Sequence, residues 1–186
     1  MLSMNFAIPV RDGLELRLRS ETDAEAFFGL TDKNRGYLRR WLPWVDATVT
    51  VEDTRKYIRS VIERFEKREG IDLGIWYDGQ WVGSIGFHYW DKSNRKDTVG
   101  YWLAEDFQGK GIITDAVRAL VAYGFQTMDL NRIEILCAVE NARSRAVPER
   151  LGFKNEGVTR ECEWLYDHFV DPVTYSLLRS EWKPNR

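Results

Sequence analysis

Two cysteines, Cys137 and Cys162, and two histidines, His88 and His168, are all that this 186-residue chain offers as soft metal ligands. Neither pair has the spacing of a metal site, so no metal is expected. No run approaches the roughly 20 apolar residues that a membrane-crossing helix needs. Neither sign of charge dominates. With 27 basic and 29 acidic side chains the net charge is −2, which leaves no electrostatic footprint for duplex nucleic acid. Repeats, low-complexity tracts and linker-like stretches are missing. Met1–Val10 has no basic region followed by a long apolar run, so no secretory leader is expected and a cytoplasmic location is. What is present is a 44% apolar content, too high for disorder and enough for one compact domain. Eight tryptophans are many for this length, and some are expected in a pocket wall or a subunit contact.

The pattern predicts mixed secondary structure. Leu14–Arg19 alternates as a half-buried strand, and Thr22 stands where a helix carrying Ala24, Phe27, Phe28 and Leu30 would be capped. A second helical piece runs near Asn34–Trp41, ahead of Pro43. Val51–Arg68 reads as a long helix burying Tyr57, Ile58, Val61, Ile62 and Phe65. Leu73–Tyr77, the turn Asp78-Gly79 and Trp81–Trp90 form a hairpin. Thr98–Ala104 is a further strand, and helical spacing resumes from Ile113 to Met128. Ile133–Val139, nearly all apolar, predicts a strand typical of a sheet interior. A short helix at Asn141–Leu151 and strands at Phe153–Glu163 and Val173–Leu178 complete one domain over residues 10–180. The fold class is α+β, with a mixed sheet.

Between the strand ending near Ala104 and the helix beginning near Ile113 lies Gln108-Gly109-Lys110-Gly111-Ile112-Ile113-Thr114. Two glycines one residue apart allow a tight turn and close approach by a ligand. The helix that follows presents free N–H groups and the positive end of its dipole. Such an end binds phosphate. The plainer alternative is a strand-to-helix turn that needed glycines. Lys110 either adds charge there or is merely solvated.

The order strand, glycine turn, helix, buried strand, Asn-x-x-Ser helix resembles the GNAT superfamily of acyl-coenzyme A N-acyltransferases. Within it the chain is most similar to enzymes that acetylate the N-terminal serine or alanine of ribosomal proteins. The segments carrying this are Gly100-Tyr101-Trp102-Leu103, Gln108–Ile112, Asn141-Ala142-Arg143-Ser144, Gly152-Phe153 and Glu156-Gly157. Ile113 departs from the broad superfamily pattern, which ends in glycine or alanine, but a large apolar residue there is common in the ribosomal-protein subgroup. The resemblance implies a mostly antiparallel central sheet of about seven strands with helices on both faces. It implies acetyl-CoA as co-substrate, direct attack by the amine, and a homodimer.

Residue roles follow from the same resemblance. The backbone from Gln108 through Thr114 holds the diphosphate. The carrier arm of the coenzyme pairs with Trp102, Leu103 and Ala104, where an N–H near Leu103 holds the developing oxyanion. Asn141 bonds that arm, although as a residue it is also a good helix N-cap. Ser144 offers a proton to the departing thiolate. Glu163 relays the amine's proton through water, with Glu134 as the competing base because a carboxylate in an apolar strand must be paired or perturbed. Trp41, Trp44, Asp46 and Trp164 form the acceptor pocket. Cys137 offers a covalent route, less favoured than direct attack because a buried thiol is ordinarily only a small apolar side chain. His88 and His168 read as structural or solvated.

Many GNAT enzymes carry a glutamate two residues before the Gly-Tyr pair. That place is Thr98 here. An α-amine has a pKa near 7.8 and a lysine near 10.4, so at pH 7.4 about a quarter of the former and about a thousandth of the latter is neutral. The missing glutamate therefore favours an α-amine acceptor. A small amine such as a polyamine or aminoglycoside, and a coenzyme-binding protein without turnover, are the competing readings.

Overall fold

The computed structural model describes residues 6–184. The first half of the stretch read for a leader, residues 1–5, lies outside them. Ala7–Arg11 (β1), Leu14–Leu18 (β2), Ile71–Tyr77 (β3), Gln80–Phe87 (β4) and Lys96–Leu103 (β5) follow one another as an antiparallel sheet. Arg132–Ala138 (β6), Pro172–Leu178 (β10) and Lys154–Val158 (β7) complete the eight strands, in the order β1-β2-β3-β4-β5-β6-β10-β7. A separate hairpin joins Glu163–Leu165 (β8) to His168–Val170 (β9). The eighth strand of the main sheet, against about seven expected, is the edge strand β1.

Five helices accompany the strands among the described residues: Ala24–Lys33 (α1), Arg35–Leu38 (α2), Val51–Glu66 (α3), Ile112–Gln126 (α4) and Ala142–Arg150 (α5). None is long and apolar enough to cross a membrane. Strand alternation sends Val82, Val99 and Leu103 into a core shared with α4, and their neighbours Trp81 and Trp102 into a second cluster with Phe27 and Leu38. The sheet is therefore covered on both faces.

Three local expectations change. Thr22 is not the cap at the first helix. Ser20 opens that turn, its N–H donating to the Asp23 carboxylate at 2.8 Å. Tyr57 is not buried like Ile58 and Val61 but 38% exposed, because its hydroxyl reaches over to Asp72. Phe153–Glu163 is not one strand. Gly157 and Glu161 both take positive φ, so β7 ends at Val158 and the chain turns into the hairpin.

The sheet's defining irregularity is the parallel pair β5–β6. It is joined only over Lys96–Thr98 against Arg132–Glu134. Beyond Thr98 the strands splay, while β5 stays zipped to β4 as far as Leu103. The strand read at Ile133–Val139 does lie in the sheet interior, as β6 between β5 and β10. Ile133, Ile135 and Cys137 face the core, but Leu136, on the opposite face, is 44% exposed.

Candidate active site

The splay opens into a cavity of about 960 Å³. One wall is β5 from Val99 to Leu103, the other is Leu136 to Ala138 of β6. The turn Gln108–Thr114 and the first turn of α5 close one end. Tyr37, Trp41 and Leu42 near α2, with Glu163, Leu165 and Val170 of the hairpin, surround the other.

The glycine turn is built as the sequence requires. Gly109 and Gly111 have φ of +75° and +74°, the left-handed region that side chains disfavour. Gly111 is the N-cap of α4. Among the described residues, no partner is found for the backbone N–H groups of Gly109, Lys110, Gly111, Ile112, Ile113 and Thr114, whereas that of Gln108 is bonded to Glu105 O at 3.2 Å. Asp115, in the same helical turn, would repel an anion. It is neutralised by Arg11 at 2.9 Å and Arg118 at 2.6 Å. Lys110 is not on the cavity wall; its ammonium lies 5.0 Å from the Phe107 ring centroid. The cations that do line the cavity are Arg143 and Arg150 of α5, and Arg143 donates to the Gln108 side chain. Sequence reasoning quoted Arg143 within a motif and gave it no role.

The strand edge can be read from its bonds. Ala104 N–H is spent on Val82 O at 2.8 Å, on the β4 side. Alternate residues of a strand direct their amides to opposite sides. Trp102 and Ala104 thus turn toward β4, and Leu103 with Tyr101 turns toward the gap. The Trp102 side chain still lines the cavity, and Ala104 does not.

Asn141 is indeed the N-cap of α5, its Oδ1 accepting from Ser144 N–H at 3.1 Å, and it also lines the cavity. Ser144 Oγ lies 3.1 Å from Tyr101 Oη and 3.2 Å from Cys137 Sγ. Burial pushes the Cys137 thiol up, which keeps it protonated and a poor nucleophile. Glu163 lines the cavity, and desolvation raises its carboxyl above the ordinary range. Glu134 is held by Arg132 at 2.7 Å and is not on the wall.

The expected acceptor pocket is brought together only in part. Trp41 lines the cavity. Trp44 packs against Trp102, with ring centroids 6.2 Å apart. Asp46 is paired with Arg39 at 3.0 Å. Trp164 points off the hairpin's other face, 53% exposed, against Phe169. His88 is exposed, and His168 pairs with Asp167 at 2.7 Å.

A splayed parallel pair, an amide-rich helix start and a carboxyl in one cavity suit an acyl-coenzyme A and an amine. The acetyltransferase (GNAT) domain family matches residues 14–154. The chain is a GNAT acetyltransferase. It is 40% identical to YdaF of Bacillus subtilis (strain 168), a candidate ribosomal N-acetyltransferase, over 96% of this chain and 98% of that protein. It is 32% identical to the ribosomal-protein-serine acetyltransferase of Escherichia coli (strain K12), over 94% and 98%. Among solved structures, RimL, a ribosomal L7/L12 α-N-protein acetyltransferase bound to coenzyme A through a disulfide to a cysteine, superposes with a TM-score of 0.90 at 31% identity, covering 93% and 98%. The co-substrate of this GNAT enzyme is acetyl-CoA, and the reaction is acyl transfer.

The φ of Gly111 gives a first test. A Cβ there would meet only Asp115 Oδ2, at 3.8 Å, so Gly111→Ala is strained but not crowded. The backbone cost is about 1–2 kcal/mol. Calorimetry is expected to show Tm lowered by several degrees. Titration is expected to show coenzyme A bound about tenfold more weakly, because the strain is relieved by tilting amides that face the cavity.

Proposed function

We propose that this enzyme acetylates the free N-terminal α-amine of a ribosomal protein, by direct attack of that amine on acetyl-CoA. The observation carrying this reading is that Glu163 and Ser144 line the same cavity as the unpartnered amides of the glycine turn. The names of the relatives, which act on ribosomal-protein N-termini, support the acceptor class.

In this reading residues 10–180 act as one domain. The turn amides and Arg143 hold the diphosphate, and Asn141 and the Leu103 strand edge take the carrier arm. Glu163 receives the amine's proton through water. Nitrogen bonds to the acetyl carbon, the developing oxyanion faces Leu103 N–H, and the C–S bond breaks with its electron pair going to sulfur. Ser144 protonates that sulfur and recovers its proton from the water chain, so the net movement is one proton from nitrogen to sulfur. Glu163 is favoured over Glu134 because Arg132 already occupies the latter. Trp41 is the acceptor wall. A cytoplasmic homodimer is part of the proposal, the exposed Trp164–Phe169 pair supplying apolar surface for a subunit contact.

A thiol-release assay with acetyl-CoA tests the acceptor. Peptides with free ribosomal-protein N-termini are expected to react fastest, ahead of polyamines, aminoglycosides and α-blocked peptides containing lysine. Equal rates on the lysine side chains would overturn the α-amine assignment. Coenzyme binding without release on any amine would overturn catalysis.

A further inference from the structure

Helix α5 contains Pro148 four residues after Ser144. A proline has no N–H, and its ring crowds the carbonyl four residues back. Ser144 C=O therefore loses its helical donor and is pushed outward. The group that meets it is Tyr101 Oη, at 3.0 Å, arriving from β5 across the mouth of the splay.

Counting hydrogens fixes the directions. A carbonyl only accepts, so the phenol hydrogen is committed to Ser144 O. The second contact, 3.1 Å between Tyr101 Oη and Ser144 Oγ, is then a bond donated by the serine. Cys137 Sγ, 3.2 Å away on β6, donates to the same Ser144 oxygen. Burial holds both the phenol and the thiol in their neutral forms, so before reaction phenol, hydroxyl and thiol each keep a hydrogen. The serine oxygen is thus held between the two diverging strands, in the gap that the proposed reaction gives to the thioester.

We propose that Tyr101 is a positioning residue that holds the Ser144 hydroxyl in the gap by bonding both its carbonyl and its oxygen. The inference rests on Ser144 being the proton donor to the departing sulfur. When the C–S bond breaks, the Ser144 hydroxyl swings its hydrogen from Tyr101 Oη to the sulfur, its O–H bond breaks and an S–H bond forms. Tyr101 turns its hydrogen from the carbonyl to the serine oxygen, which stabilises that oxygen until the water chain returns its proton. Tyr101 never touches the thioester.

Tyr101→Phe, assayed by thiol release, is expected to lower kcat about tenfold with KM for acetyl-CoA within twofold. Ser144→Ala is expected to lose more, and Y101F/S144A to be no slower than S144A alone, because one residue acts through the other. Losses that multiply would overturn the proposal. Pro148→Ala, added to Y101F, returns an N–H to the Ser144 carbonyl. It is expected to recover lost Tm while kcat stays low. Recovery of kcat with Tm would reduce Tyr101 to a helix support and overturn the proposal. If the parent enzyme releases no thiol with any amine, acetyl transfer itself fails, and crystal structures decide the tyrosine separately. One Ser144 rotamer in the parent and several in Y101F are expected. A single unchanged rotamer in both contradicts it.

Discussion

Glu163→Gln is expected to lower kcat/KM for a peptide N-terminus by about 10²–10³-fold, within the range for losing a general base. KM for acetyl-CoA should stay put, because Glu163 belongs to the β8–β9 hairpin and not to the glycine turn assigned to the coenzyme. The pH profile carries a second signature. Desolvation raises the Glu163 carboxyl. As base it must be ionised, and the attacking amine must be neutral, so activity rises with pH through both groups. Without the carboxylate, only the limb of the amine, near pH 7.8, is expected to remain. Stability should move the other way. A carboxyl whose folded pKa is raised favours the folded state while protonated, and that contribution is lost as pH climbs through the folded pKa. At neutral pH the ionised group is a liability, so E163Q should melt no lower than the parent. Steady-state kinetics from pH 5 to 9 with a melting curve checks all three. Parental activity in E163Q would remove Glu163 from the mechanism.

Arg19→Met is expected to destabilise the fold by about 3–5 kcal/mol, the cost of leaving a buried charge unpaired. Arg19 is 3% exposed, and Asp72 beside it likewise. Arg19 donates to Asp72, to Ser84 and to Leu73 O, the last at 3.1 Å. Its Nε and Nη1 find no hydrogen-bond acceptor. The guanidinium lies instead 5.2–5.5 Å from the ring centroids of Phe27, Tyr57 and Trp81, an aromatic cage that suits a cation. Phe27 then stacks on Trp81 and meets Trp102, which lines the cavity. The buried pair thus supports one wall of the site as well as the sheet. Burial acts to raise the Asp72 carboxyl, and Arg19, helped by His88 and the Tyr57 hydroxyl, more than offsets this, leaving it below its ordinary value. A depressed pKa means stability that is present above the unfolded value near 3.8 and lost as pH falls through the lower folded value. In Arg19→Met burial loses the largest of its opponents, so the deficit should be largest near pH 7 and shrink toward pH 4 as Asp72 takes up a proton. Urea denaturation at the two pH values measures this. A loss under about 1 kcal/mol would mean that the aromatic cage, not the charge pair, carries the region.

Local chemistry made part of this readable beforehand. Gly109 and Gly111 announced a backbone that only glycine adopts easily, and both hold positive φ. The placement of Ser144, Asn141 and Glu163 around one cavity followed from motif resemblance. Other features depend on contacts far apart in the chain, which periodicity does not encode. Leu136 belongs to an apolar run, but it lies exposed on the face opposite the core. Tyr101 and Ser144 meet across 43 residues, and Arg19 and Asp72 across 53. Asp46 looked free to attract an ammonium until Arg39 took it, whereas Glu134, read as paired or perturbed, is indeed paired, with Arg132. The hairpin was hidden because Glu161 and Tyr166 adopt positive φ without being glycine, at 49° and 59°.

Coenzyme binding and catalysis here depend on main-chain amides of one glycine turn gripping a diphosphate while the thioester lies between two splayed strands. A crystal structure of the complex with coenzyme A tests this dependence most directly. Diphosphate oxygens within about 3 Å of the N–H groups of residues 109–114, and the thiol beside Ser144 in the β5–β6 gap, are expected. A coenzyme seated elsewhere, with that turn empty, would contradict it.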